Sequence, residues 1–214
     1  MTIRLIIVGA GGFGRETLDV IEAINGASRD PAFDVLGVVD SHPSDSNLDL
    51  LRRMGVSWLG SEAEWLARGE AAQYLVAIGN PHVREQVAQR FDAVGLAAAV
   101  AVHPRASVGS LPQFGAGTII CAGAQISTNI VLGKHVHVNP SATIGHDSVL
   151  SDFVSVNPGA VISGDVAIQR GTLIGAGAVV LQGLSIGEYS IIGAGACVVR
   201  DVDPGRTVKG IPAR

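Results

Sequence analysis

From Val102 to Val198 an apolar residue stands at every sixth position, with no insertion or deletion. The series runs Val102, Val108, Phe114, Ile120, Ile126, Leu132, Val138, Ile144 and Leu150, then Val156, Ile162, Ile168, Ile174, Val180, Ile186, Ile192 and Val198. Four residues after each comes a mostly small or β-branched partner, such as Ala106, Thr118, Ala124, Ala142, Val154 and Ala160. Glycine directly follows the apolar residue at positions 109, 115, 133, 145, 175, 187 and 193. This pattern predicts a β-solenoid in which each hexad supplies one short strand and one corner, with the apolar residue pointing inward. Asn139-Pro140 returns 18 residues later as Asn157-Pro158, so three hexads make one coil and the 17 hexads make about five and two-thirds coils.

The first hundred residues follow a different rhythm. Ile3 to Val8 is a continuous apolar run suited to a parallel strand buried on both faces. A glycine turn follows, and Phe13, Thr17, Leu18, Ile21 and Ile24 then form a helical apolar stripe that Asn25-Gly26 can end. Val35 to Val39 reads as a second strand ending at Asp40, followed by a polar, turn-rich stretch over 41–50. Leu51 and Met54 suggest a short helix before Val56–Leu59, and Ser61 with Glu64 forms a capping box. Leu75 to Ile78 is a further strand, Gly79-Asn80-Pro81 opens a helix through about Phe91, and Ala97 to Val102 is read as the last strand. This amounts to half a Rossmann unit, too short for both mononucleotide-binding halves. The change of period divides the chain into domains 1–101 and 102–214.

Charge changes at the same place. Residues 1–101 hold 13 acidic and 8 basic side chains, against 6 and 7 in the longer remainder, which suits a helix that buries outer faces against copies of itself. Over all 214 residues, 47% hydrophobic and 16% charged excludes a disordered chain. A net charge of -4 gives no electrostatic case for nucleic acid or an anionic membrane. Two cysteines, Cys121 and Cys197, can build neither a disulfide scaffold nor a four-cysteine zinc site, and a reducing cytoplasm is expected. The apolar N-terminus runs straight into its glycine turn and reads as a strand, not a signal peptide, and no run suits membrane insertion.

Three groups of residues carry candidate chemistry. His146 comes two residues after inward Ile144, which places it near a corner or outer surface, and Asp147 beside it can hold the imidazole in one tautomer. A structural corner histidine bonded to backbone is the competing reading. Gly9, Gly11 and Gly14 satisfy G-x-G-x-x-G between a strand and a helix, where phosphate can approach backbone N–H groups. NAD is the obvious alternative ligand there, but no second Rossmann half follows. His135 and His137 flank inward Val136 and are expected to face outward, yet with His146 they occupy different phases of the coil and form no zinc triad.

From Gly9-Ala10-Gly11-Gly12-Phe13-Gly14, through Gly79-Asn80 and His146-Asp147, to Gly210-Ile211-Pro212-Ala213-Arg214, the chain resembles the PglD/NeuD-type bacterial sugar acetyltransferases. These hexapeptide-repeat proteins join a small Rossmann-like domain to a left-handed parallel β-helix. The resemblance implies an α/β plus all-β fold, a homotrimer with donor sites between subunits and acetyl-CoA as cosubstrate, and the histidine spacing leads to no metal being expected. It makes His146 the general base and Asp147 its partner, and it aligns Gly164 with a glycine whose amide approaches the acetyl carbonyl. Ser155 stands where close members have a second histidine that positions the acyl donor. Gly193 and Ala194 would give close backbone surfaces to CoA, and Arg206 and Lys209 would meet its phosphates. The first domain would hold a nucleotide-sugar through Gly9, Gly11, Gly12, Phe13, Gly14 and Arg15, with Asp40 at ribose or base. Gly79, Asn80 and Arg84 would complete that site. The implied acceptor is the amine of a nucleotide-linked 4-amino-4,6-dideoxy sugar, destined for lipopolysaccharide, capsule or protein glycans. O-acetylation of sialic acid or another sugar hydroxyl, and a binding protein without catalysis, remain as alternatives.

Overall fold

The computed structural model describes residues 2–214, and the chain divides into two compact units, Met1–Ala101 and Val102–Arg214. In the first, strands β1 (Ile3–Val8), β2 (Phe33–Val39) and β3 (Gln73–Val76) form a parallel sheet in the order β2-β1-β3. Helices α1 (Gly12–Gly26), α2 (Asp45–Arg53), α3 (Glu62–Ala67) and α4 (Pro81–Ala93) connect them. Leu5, Ile6, Ile7 and Val8 in the central strand are all 0% exposed, which accounts for the unbroken apolar run.

Two expectations are corrected here. The polar stretch over 41–50 is not all turn: Ser44 accepts from the Asn47 N–H and starts α2 at Asp45, so its cap residues disguise a helix start. Ala97 to Val102 is not a strand of this sheet. Ala98 makes a single bridge to Tyr74, and Ala101–Val102 opens the solenoid instead. The Ser61/Glu64 capping box is formed as expected.

The second unit is a parallel β-solenoid. Strands β4 (Ala101–Val102) to β20 (Cys197–Val198) are two residues each, and all 17 end on the residue that the six-residue pattern turns inward. Three sheets form the prism faces, with partners 18 residues apart, as in Val138↔Val156, Ile144↔Ile162 and Leu150↔Ile168. From Ile120 to Val198 every inward residue is at most 3% exposed. Val108 in the first coil is 38% exposed. The last coil is shorter: Ile192 pairs with Val208, only 16 residues on, in the final strand β21 (Thr207–Val208).

Glycine serves two phases of the coil for two reasons. The positions directly after the inward residue lie against the next coil's backbone, and a Cβ on Gly109 would come within 2.8 Å of the Ser127 carbonyl carbon. The corner itself falls two residues later. There the backbone is left-handed at every sixth position from Leu111 to Gly195, a conformation that glycine adopts freely and Asn or Asp tolerates.

Candidate active site

The solenoid has three edges, and His146 lies on the one that follows strand β11 (Thr143–Ile144). The chain turns sharply there: Asp147 has φ 61°, and its N–H donates to the Thr128 carbonyl of the preceding coil at 3.1 Å. The turn leaves both side chains about half exposed and brings His146 Nδ1 to 2.8 Å from Asp147 Oδ2. The other carboxylate oxygen, Oδ1, accepts from Asn129 Nδ2 at 2.8 Å. The Asn129 bond, and after it the bond to His146, hold the Asp147 carboxyl below its ordinary value. An ionised carboxylate only accepts hydrogen bonds, so a proton on Nδ1 completes this bond, and a neutral ring with its proton there carries its lone pair on Nε2.

Gly164, one coil on, lies against this ring. A Cβ there would stand 2.5 Å from His146 Cε1 and 2.9 Å from Cδ2. Gly145 performs a similar service one layer down, since its Cβ would come within 2.5 Å of the Gly164 nitrogen. His146, Asp147 and Gly164 are therefore one constellation. Ser155 is not part of it: it belongs to strand β13 (Ser155–Val156) on another face, is 1% exposed, and pairs with His137 and Leu173. Asn129 escapes a reading confined to neighbours in sequence, although its separation of 18 residues from Asp147, one coil, was available as a signal.

The tail residues occupy other corners. A Cβ on Gly193 would lie 3.0 Å from Lys209 Cβ, so these two meet, while Ala194 is exposed beside them. Arg206 is exposed at the start of β21, where its carbonyl accepts from Ile191 N–H at 2.8 Å. His135 and His137 correct an expectation: both are 1% exposed, and the His135 ring stacks on Phe153 with centroids 5.2 Å apart. Pointing away from the solenoid axis does not make a side chain accessible. Among the described residues no group of three His, Cys, Asp or Glu side chains could hold a metal ion, and no helix is long and apolar enough to cross a membrane.

In the first unit, the loops at the carboxyl ends of β1, β2 and β3 converge, as they must in a parallel sheet. Ala10 N–H donates to Asp40 Oδ2 and His42 N–H to Asp40 Oδ1, each at 2.8 Å. Asp40 thus ties the loop after β1 to the loop after β2. Gly9, at φ 117°, packs where a Cβ would meet the Ala77 carbonyl oxygen at 2.9 Å, and Gly14 lies directly on the Gly9 carbonyl. Gly11 instead fronts open space at the start of α1, and a Cβ on Gly12 would meet Arg15 Nη2 at 4.0 Å, with Phe13 half-buried behind them. Arg15 folds over this turn, its Nη1 donating to the Ala10 carbonyl at 3.1 Å and to Asn47 Oδ1 at 2.7 Å.

Asn80 caps α4 by accepting from the Val83 N–H, and Gly79 beside it is exposed. Arg84, expected to complete the nucleotide-sugar site, lies behind the loop instead of on its surface. It is 0% exposed, burial pulls its guanidinium down to about 9, and it donates to the Ile78 and Gly79 carbonyls at 2.7 and 3.2 Å. It braces the loop from behind.

Residues 4–91 match the family model of the PglD N-terminal domain. Over 143 residues, 66% of this chain, the sequence is 33% identical to GDP-perosamine N-acetyltransferase of Escherichia coli O157:H7, and the match spans 61% of that relative's length. Among solved structures, a histidine-to-asparagine mutant of perosamine N-acetyltransferase from Caulobacter crescentus, in complex with CoA and GDP-perosamine, has a TM-score of 0.86 at 27% identity. That likeness covers 98% of this chain and 95% of the other. The acetyltransferase domain of PglB from Neisseria gonorrhoeae FA1090, in complex with acetyl coenzyme A, has a TM-score of 0.82 at 28% identity, covering 100% and 99% of the two chains.

Proposed function

We propose that this chain, which carries a PglD N-terminal domain followed by the β-solenoid of the sugar N-acetyltransferases it matches, transfers acetyl from acetyl-CoA to the amine of a nucleotide-linked amino sugar. The observation that carries the reading is the 2.8 Å bond between His146 Nδ1 and Asp147 Oδ2, formed on a corner where Gly164 leaves room for the ring. The relatives in complex with CoA and GDP-perosamine support the donor and the class of acceptor, and GDP-perosamine is the first acceptor to try.

His146 Nε2 takes a proton from the acceptor nitrogen as that nitrogen attacks the thioester carbonyl. The C–N bond forms, the carbonyl electrons move onto oxygen, and the Gly164 N–H is the donor assigned to this oxyanion. Collapse breaks the C–S bond, and the proton on Nε2 passes to the departing CoA sulfur. Ionised Asp147 stabilises the imidazolium between these steps. The turn at Gly11 and Gly12, open at Gly11 and with Arg15 folded over it, suits a diphosphate at the start of α1. Ser155 is 1% exposed, and no donor contact is assigned to it in this mechanism. Arg206, Lys209, Gly193 and Ala194 are assigned to CoA, and they occupy other corners of one solenoid than His146 does. A donor that meets both sets would bridge two copies, in keeping with a homotrimer.

The test is a mass-spectrometric product assay with acetyl-CoA and GDP-, UDP- or dTDP-linked 4-amino sugars, with free and CMP-linked sialic acids as the competing acceptors. The expected result is a single acetyl gained by one nucleotide amino sugar and lost in His146→Ala. Acetyl gain on sialic acid alone, or full turnover by His146→Ala, would overturn the reading.

A further inference from the structure

Asn129, Asp147, Asp165 and Gly183 occupy one edge of the solenoid at intervals of one coil, and all four have left-handed backbone, with φ of 56°, 61°, 58° and 72°. Each is secured by its own N–H, which donates to a carbonyl of the preceding coil: Ser110 for Asn129, Thr128 for Asp147, His146 for Asp165 and Gly164 for Gly183. The backbone alone makes this corner, since glycine fills it at position 183. The side chain of Asn129 is therefore free for another task, and it donates to Asp147 Oδ1 at 2.8 Å.

We propose that Asn129 is a positioning residue for the acetyl transfer, fixing the Asp147 carboxylate so that Oδ2 faces His146 Nδ1. This inference rests on His146 acting as the base. Asp147 is half exposed on a corner, where a lone carboxylate would sample several rotamers and divide its time between water and the imidazole. With Oδ1 tied to the coil below, one orientation remains, and in it Oδ2 lies 2.8 Å from the ring. The amide must present nitrogen, not oxygen, to an ionised carboxylate, so the bond also fixes which way Asn129 points. An imidazole held in this way keeps its proton on Nδ1 and its lone pair on Nε2, on the side where the ring meets Gly164.

Asn129→Gly and Asn129→Asp test the proposal without disturbing the corner, because the same edge already accepts glycine at 183 and aspartate at 147 and 165. A lost hydrogen bond to a charged group corresponds to about 10–100-fold in rate when it acts in the transition state. We expect Asn129→Gly to lower kcat by about that factor with little change in KM. In an Asp147→Ala background the same substitution should cost less than about twofold, because its effect passes through Asp147. Asn129→Asp should also shift the acid limb of the kcat/KM profile to higher pH, since an added carboxylate favours the imidazolium. Unchanged kcat in Asn129→Gly, or an equal loss with and without Asp147, would overturn the proposal while leaving the base in place if His146→Ala is inactive. An active His146→Ala would remove the base and this inference together.

Discussion

Adding one methyl group at Gly164 should disable the site while sparing the fold. The Cβ of Gly164→Ala would stand 2.5 Å from His146 Cε1 and 2.9 Å from Cδ2, where carbon contacts need about 3.5 Å. The ring must therefore retreat by about 1 Å, and the 2.8 Å bond to Asp147 cannot survive that movement unchanged. A displacement of this size at reacting groups costs on the order of 100-fold, or about 2.7 kcal/mol in activation free energy. Stability should change little, because what moves is the end of a half-exposed side chain. Gly145→Ala is the contrast: its Cβ would meet the Gly164 nitrogen at 2.5 Å and the Ser163 oxygen at 2.7 Å, and backbone between stacked coils has nowhere to go. Steady-state release of CoA thiol and thermal unfolding, measured on both variants, would separate the two effects. Full kcat in Gly164→Ala would refute the reasoning, as would a fall in melting temperature as large as that of Gly145→Ala.

Asp147→Asn should narrow the pH dependence of stability on the acid side. Because the Asp147 carboxyl is held below its usual value, its ionised form stabilises the fold above the unfolded pKa of about 3.9, and that contribution disappears as pH falls through the lowered folded value. Melting temperatures between pH 3 and about 6 should thus converge for wild type and variant at the acid end. Asp40→Ala removes the acceptor of two backbone N–H groups and should cost about 1–3 kcal/mol while reducing the thermal stabilisation produced by GDP. An unchanged response to GDP would separate Asp40 from the nucleotide site. Arg84→Ala empties a fully buried position and removes the donor to the Ile78 and Gly79 carbonyls, for a loss of about 2–4 kcal/mol in urea unfolding.

The solenoid was legible because its period lies in the side chains that fill it: each inward residue, from Val102 to Val198, ends a two-residue strand. His146 and Asp147 were legible because they are adjacent in sequence. Asn129 was not, since its bond runs between coils and no run of neighbouring residues contains it. The α2 start at Asp45 was hidden for a local reason, because Ser44, Asp45, Ser46 and Asn47 serve turns and helix caps alike. Burial misled at Arg84 and His137, whose types suggest exposure; only the packed structure shows that one braces a loop and the other is covered. The N-terminal strands were found to within about two residues, as for β3, whose end depends on pairing with β1.

The uniform coil also governs how this protein can change in length. A single residue inserted within one of the two-residue strands would turn the inward side chain of that strand toward water, whereas a duplicated 18-residue coil keeps the frame and adds one more layer. His146 and Gly164 belong to consecutive layers, so growth between them would separate them, while growth before Asn129 would leave them in contact. The architecture is therefore modular along its axis except across the few layers that hold the site, and a lineage of such chains would be expected to lengthen and shorten only outside them.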